Sequence, residues 1–143
     1  MDKFVINGPC ALRGTVEING AKNAVLPLMA ASILARGKCV IKNVPDLRDV
    51  STMIRLLEIL GADVDFKSHV LTIDTGNLTN LEAPYDLVRT MRASIYVMGP
   101  LIAAHKKARV SQPGGCAWGP RPIDLHLMAL ERLGAKVVLE HGY

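Results

Sequence analysis

The sequence predicts an α/β protein in which a strand–helix–strand–helix–strand–strand unit occurs twice. The first observation is an internal repeat: LLEILGADV at residues 56–64 returns as ALERLGAKV at residues 129–137, with six of nine positions identical. The second is that each copy joins a helix-period apolar run to a glycine and then to a short alternating segment, the pattern of a helix followed by a strand. Both helices of a unit are then expected to bury one face against a sheet.

The first copy supplies two helices and three strands. An apolar helix is predicted at residues 23–36 and leads into the strand KCVIK at residues 38–42. The second helix carries Met53, Leu56, Leu57 and Leu60 on one face and ends at Gly61. Two strands follow, ADVDF at residues 62–66 and VLTID at residues 70–74.

The second copy repeats this order but lacks its last strand. A helix is predicted at residues 86–105, a strand at 107–111, a helix after Pro122 and a strand, AKVVLE, at residues 135–140. The strand VLTID has no counterpart before Tyr143. We therefore expect the chain to be a fragment of a longer protein.

The first twenty residues do not fit the repeat. In LRGTVEI, residues 12–18, Leu12, Val16 and Ile18 alternate with polar residues, which predicts a half-buried strand. The segment FVING, residues 4–8, also precedes the first copy. These residues are therefore assigned to a separate N-terminal part.

Composition excludes several classes of function. The net charge of +4 is scattered and the chain has only one Trp, three Tyr and two Phe, which argues against a nucleic-acid surface and favours small anionic ligands. The longest apolar stretch, residues 93–104, contains Pro100 and is too short to span a bilayer. Three widely spaced cysteines without a CxxC pair favour a reducing cytoplasm over disulfides or a zinc site.

The segment NGAKNAVLP, residues 19–27, is the first candidate site. Gly20 permits a tight turn, which places Lys22 and Asn23 at the start of the first helix. Backbone N–H groups at a helix N-terminus together with a cation suit a phosphate or a carboxylate. An ordinary turn with a solvated lysine explains the same residues.

Two arginines form the second candidate. Arg89 and Arg92 are three residues apart and share one face of the predicted helix at residues 86–105. Such a pair can clamp an anion through charge-assisted hydrogen bonds. A solvated helix face is the alternative interpretation.

The loop SQPGGCAWGPRP, residues 111–122, is the third candidate. It is four residues longer than the corresponding connection in the first copy, and loops grow where function is added to a scaffold. A thiol beside a cation and a helix N-terminus has a lowered pKa in general, so Cys116, with Arg121 near it, is a candidate nucleophile or proton donor. A structural cysteine is the alternative. His126 lies four residues into the helix that follows and is within reach of a cleft.

Together these motifs resemble the UDP-N-acetylglucosamine 1-carboxyvinyltransferases. NGAKNAVLP, APYDLVRTMRASI, PGGCAWGPRPIDLH and the repeated LGA carry the resemblance, which covers residues 1–143. It implies an inside-out α/β barrel of the enolpyruvyl transferase type, built from repeated βαβαββ units and incomplete here. Residues 1–20 would be strands that pack with a second, absent domain, and residues 21–143 part of the first domain, with repeat 1 at about 21–80 and repeat 2 at about 81–143.

The resemblance also implies a reaction. The enolpyruvyl group of phosphoenolpyruvate moves to the 3′-hydroxyl of UDP-N-acetylglucosamine and phosphate is released, the first committed step of peptidoglycan synthesis in the bacterial cytoplasm. Cys116 is then the loop residue that acts as an acid or in product release, and the target of the epoxide fosfomycin, although some family members carry aspartate there. Lys22, Arg92 and Arg121 match the positions that hold phosphoenolpyruvate.

Further positions follow from the same match. Those that line the UDP-sugar site are Asn23, Pro122, Asp124, Leu125 and His126. The resemblance implies no metal, no organic cofactor, no nucleic acid and no membrane partner, and it leaves the oligomeric state open. The family's catalytic aspartate and further arginines lie beyond Tyr143, so the 143 residues alone are expected to be inactive.

Two other hypotheses stay open at this point. The 5-enolpyruvylshikimate-3-phosphate synthases share the fold and the chemistry, but that family lacks the cysteine loop as written here. A stand-alone anion- or nucleotide-binding module is the alternative from a different class of function.

Overall fold

The computed structural model describes residues 3–88, 91–112 and 122–143, and of Arg92 and Ser94 it describes the backbone. The first repeat contains helix α1 (Lys22–Ala35), strand β1 (Lys38–Ile41), helix α2 (Arg48–Leu60) and strands β2 (Asp63–Lys67) and β3 (Val70–Asp74). These bounds agree with the predicted elements to within a few residues, because each helix end and each strand carries a local signal.

The second repeat begins with strand β4 (Glu82–Ala83) and helix α3 (Tyr85–Val88). A 3₁₀ helix (Arg92–Val97) leads into helix α4 (Met98–His105), strand β5 (Arg109–Val110) and helix α5 (Asp124–Arg132). Strands β4 and β5 pair in parallel and are joined through the helices between them.

The three strands of the first repeat form an antiparallel sheet in the order β1-β3-β2. In β3, Leu71 and Ile73 are fully buried and pair with residues of both neighbouring strands. They pack against the apolar faces of α1 and α2, where Met29, Ile33 and Leu57 are also fully buried. The core of the described chain therefore includes the space between this sheet and the two helices of the first repeat, and Val97 and Leu101 of the second repeat extend it.

The prediction of a single helix at residues 86–105 was wrong. Met91 is extended (φ −141°, ψ 110°), and the helical segments on either side of it are separate. Pro100 lacks the N–H that a continuous α-helix needs at that position, whereas in the first turn of α4 the missing donor costs nothing. The β-branched and aromatic residues 95–97 take the tighter 3₁₀ turn ahead of it.

The strand predicted at residues 135–140 was also wrong, because that segment is neither helix nor strand. In the first repeat β1 and β2 do not pair with each other, since β3 lies between them and bonds to both. In the described part of the second repeat, residues 81–88, 91–112 and 122–143, no segment takes that central place. A cavity of about 330 Å³ lies between α4, β5, α5 and residues 135–140, and both apolar and charged residues line it.

The N-terminal residues do not form the predicted strand in this structure. Residues 3–20 contain neither helix nor strand, and Leu12, Val16 and Ile18 are between 83% and 90% exposed. A strand needs a neighbouring strand to pair with, and none of the described strands pairs with this segment. The assignment of residues 1–20 to contacts with a second domain stays a prediction.

The end of α2 supplies a stability prediction. Gly61 has φ +102°, and a Cβ there would lie 2.8 Å from both the backbone N and Oγ1 of Thr79, whose N–H donates to Leu60 O. We expect Gly61→Ala to lower the free energy of unfolding by about 2–4 kcal/mol, from the disfavoured φ and the overlap together.

Gly134 is the matched control for this change. It ends the repeated helix with φ +94°, but nothing lies within 4 Å of a Cβ built there. Gly134→Ala should therefore cost only the backbone term, about 1 kcal/mol. Urea unfolding of both variants measures the difference, and equal losses would show that the contact with Thr79 contributes nothing.

Candidate functional site

Lys22 is the first residue of α1, and its place is set by the turn before it. The N-cap residue Ala21 is extended (φ −80°, ψ 133°) and has no side chain to cap the helix. Gly20 packs so closely on the carbonyl oxygen of Asn43 that a Cβ could not be accommodated. The predicted helix N-terminus with a cation at its start is therefore present.

Lys22 forms an ion pair with a carboxylate that no sequence pattern indicated. Its Nζ lies 2.9 Å from Oδ2 of Asp49, in the first turn of α2, and the two side chains are 50% and 34% exposed. The pair brings the N-termini of α1 and α2 together. An acidic residue in the first turn of a helix is a common sequence feature, so only the contact marks Asp49 as part of this site.

Four predicted residues lie at the start of α5. Pro122, Asp124, Leu125 and His126 are all exposed, Leu125 to 66%. This helix buries none of its side chains, so its first turn is open to a ligand from solvent.

His126 also lines an apolar groove of about 410 Å³ between α1, α4 and α5. Pro27 and Ala30 of α1 form one side of the groove and Tyr96 and Pro100 another. The groove therefore links the helix that begins at Lys22 with the helix that carries His126. Asn23 is exposed on the first turn of α1, next to Lys22.

The remaining predicted residues fall partly or wholly outside what the structure describes. Arg92 begins the 3₁₀ helix, and only its backbone is described. Arg89, Cys116 and Arg121 lie outside the described residues. Their contributions to a site stay predictions.

The described groups whose pKa is shifted, Arg109 and Lys67, lie outside the candidate site. The hydrogen bond to Glu82, 2.7 Å long, raises the pKa of the Arg109 guanidinium and ties β5 to β4. Arg109 also lies 4.2 Å from the ring centroid of Tyr143. At the end of β2, a hydrogen bond to Asp65 raises the pKa of Lys67.

The described part of the chain contains neither a metal-binding cluster nor a membrane-spanning helix. Residues 3–88, 91–112 and 122–143 hold no group of three or more His, Cys, Asp or Glu side chains that could bind a metal ion. None of the helices in those ranges has the length and apolar character needed to cross a membrane.

A family model described as EPSP synthase (3-phosphoshikimate 1-carboxyvinyltransferase) matches residues 6–143. The chain belongs to the EPSP synthase family. Within that family it is similar over its whole length to curated UDP-N-acetylglucosamine 1-carboxyvinyltransferases, which confirms the resemblance stated from the motifs.

Three of these relatives show the extent of the similarity. The identity is 55% over 144 residues with the protein of Chloroherpeton thalassium, 57% over 143 with that of Desulfatibacillum aliphaticivorans and 54% over 143 with that of Acinetobacter baylyi. In each case the match covers 100% of this chain and 34% of the relative. The chain thus spans about a third of the length of the EPSP synthase family members that it matches.

A solved structure confirms the fold class. The enolpyruvyl transferase NikO from Streptomyces tendae superimposes with a TM-score of 0.75 at 24% identity, over 92% of this chain and 29% of NikO. At this identity the likeness shows the fold alone. The helices and strands described above are therefore part of an enolpyruvyl transferase fold.

Proposed function

We propose that this chain is the N-terminal part of a bacterial, cytoplasmic transferase. The enzyme moves the enolpyruvyl group of phosphoenolpyruvate to the 3′-hydroxyl of UDP-N-acetylglucosamine and releases phosphate. The observation that carries the proposal is an identity of 53–57%, over the whole chain, with curated relatives named for this reaction.

The start of α1 suits phosphoenolpyruvate, which carries a phosphate and a carboxylate. Lys22 offers an ammonium, on a side chain that is 50% exposed, at a helix N-terminus whose N-cap residue has no capping side chain. A cation and a helix N-terminus both favour an anion at this place. Asp49 contacts the ammonium from one side and leaves half of the Lys22 side chain open to solvent.

The proposed chemistry is an addition followed by an elimination. Protonation of the methylene carbon makes the adjacent carbon electrophilic, and the sugar hydroxyl adds to it while losing its proton. Loss of a proton from the methyl group then expels phosphate and restores the double bond. Cys116 is proposed as the acid or the residue of product release, and Lys22, Arg92 and Arg121 as the cations that hold the phosphate and the carboxylate.

The start of α5 is proposed to contact the sugar nucleotide. Asp124 and Leu125 are exposed in its first turn, and His126 faces the groove shared with α1. Asn23, which is also proposed to contact the sugar nucleotide, lies beside Lys22 at the start of α1. The sugar nucleotide would then lie next to the phosphoenolpyruvate proposed at Lys22, as transfer between the two substrates requires.

An acceptor assay tests this function. The complete enzyme that contains this chain is incubated with phosphoenolpyruvate and either UDP-N-acetylglucosamine or shikimate 3-phosphate, and phosphate release is measured. We expect phosphate to be released when UDP-N-acetylglucosamine is the acceptor and not when shikimate 3-phosphate is. Release with shikimate 3-phosphate would assign the protein to the other acceptor, and binding of the anions without release would support a binding module.

A further inference from the structure

The hairpin between β2 and β3 has an unusual tip. Its two turn residues, Ser68 and His69, have φ +48° and +62°, a conformation that favours Gly, Asn or Asp. Lys67 and Val70 pair on either side, so the turn is a tight two-residue connection. A left-handed conformation costs a histidine more than it would cost a glycine, which suggests that the His69 side chain makes a contact that offsets this cost.

The His69 side chain bonds to the backbone of another loop. Its Nδ1 lies 2.8 Å from the carbonyl oxygen of Val44, and the Val44 N–H donates to the His69 carbonyl at 2.9 Å. A carbonyl oxygen only accepts hydrogen bonds, so Nδ1 carries the proton. His69 therefore clamps Val44, which is 1% exposed, at two points.

Val44 begins a connection that leads to both halves of the Lys22–Asp49 pair. Its neighbour Asn43 has φ +57°, and the Asn43 side chain donates to the Ile18 carbonyl at 3.4 Å. The Asn43 carbonyl oxygen is the group against which Gly20 packs, two residues before Lys22. In the other direction residues 44–47 run into α2, whose first turn carries Asp49.

We propose that His69 is a positioning residue for the Lys22–Asp49 pair. By fixing Val44 it holds Asn43 against the turn before α1 and sets where α2 begins. His69 does not itself meet the anion, and its effect on phosphoenolpyruvate rests on the function proposed above. Its effect on the ion pair follows from the contacts alone.

Two substitutions of almost equal shape distinguish the loss of the His69–Val44 side-chain hydrogen bond from a change in the turn itself. Both Asn and Asp tolerate positive φ, but His69→Asn keeps an N–H donor near the position of Nδ1, whereas the carboxylate of His69→Asp cannot donate to the Val44 carbonyl. Ser68→Gly is the control, because it alters the same turn and leaves the clamp in place.

The first measurement is made on the 143-residue chain by NMR. We expect His69→Asp to speed hydrogen exchange at the Val44 amide by about 5- to 30-fold and to move the Lys22 ε-methylene signals toward those of Asp49→Asn. His69→Asn and Ser68→Gly should keep both observables near the unsubstituted values. Faster exchange at Val44 with unmoved Lys22 signals would overturn the proposal, because the clamp would then be only structural.

The second measurement uses the complete enzyme. His69→Asp should raise KM for phosphoenolpyruvate by about 5- to 30-fold, with little change in KM for the sugar nucleotide, and His69→Asn should restore it. Equal changes for both substrates, or no restoration by Asn, would overturn the link to the anion site. If the enzyme uses neither substrate, the proposed function fails, while the NMR comparison still decides whether His69 positions Lys22.

Discussion

Replacing Cys116 with serine in the complete enzyme is expected to lower kcat of the proposed transfer by about 10²- to 10⁴-fold, the usual contribution of a general acid. A serine hydroxyl does not release its proton in the pH range where a thiol does, so the step that needs a positioned acid slows. The change is nearly isosteric and falls in a predicted loop, so the melting temperature should stay within a degree or two of the parent. Steady-state phosphate release and a thermal melt measure the two effects.

Cys116→Asp is the matched variant for this prediction. A carboxylic acid supplies a proton but is a poor target for an epoxide that labels thiols, so this variant should keep most of the turnover and lose labelling by fosfomycin. Mass spectrometry of the treated protein gives the labelling. Unchanged turnover in the serine variant would remove Cys116 from the proton transfer, and an inactive aspartate variant would indicate that the sulfur itself is required.

Lys22→Met should raise KM for phosphoenolpyruvate by about 10- to 100-fold, because the charge-assisted hydrogen bond proposed between Lys22 and the anion would be lost. The loss also leaves the Asp49 carboxylate, now without its partner 2.9 Å away, beside an anionic substrate. Adding Asp49→Asn to this variant should therefore recover part of the lost affinity. Steady-state kinetics of the four proteins give the coupling between the two side chains.

A second lysine–aspartate pair provides the control. Lys67 Nζ and Asp65 Oδ1 are 2.8 Å apart, but both side chains are more exposed than those of the Lys22 pair. Lys67→Met should leave both Michaelis constants unchanged. A similar rise in KM for both substrates after Lys22→Met would contradict a specific role at the anion site.

Much of the first repeat could be predicted from its sequence. The strand β3 was placed at residues 70–74, as observed, and α2 ends before Gly61 as the repeated glycine indicates. Local signals suffice there because alternation and helix capping each involve only neighbouring residues. The same signals failed at residues 135–140, where a strand pattern has no partner strand in place.

The sequence likewise predicted only part of the candidate site. Lys22 was predicted at the start of a helix, and the structure places it there. The contact between Lys22 and Asp49 was not predicted, and no sequence pattern indicated the hydrogen bond between His69 and Val44. Both contacts join segments that are far apart in the sequence, and no local pattern indicates which residues will be partners.

The sequence by itself determined the repeated unit, the position of the helix that begins at Lys22 and the resemblance that leads to the enolpyruvyl transferases. Only the tertiary structure decided that β3 lies between β1 and β2, that Asp49 holds Lys22 and that His69 clamps Val44. The physical reason is the range of the interactions. Periodicity and capping act within one or two turns of chain, whereas strand order and side-chain pairing depend on which distant segments bury their apolar faces together.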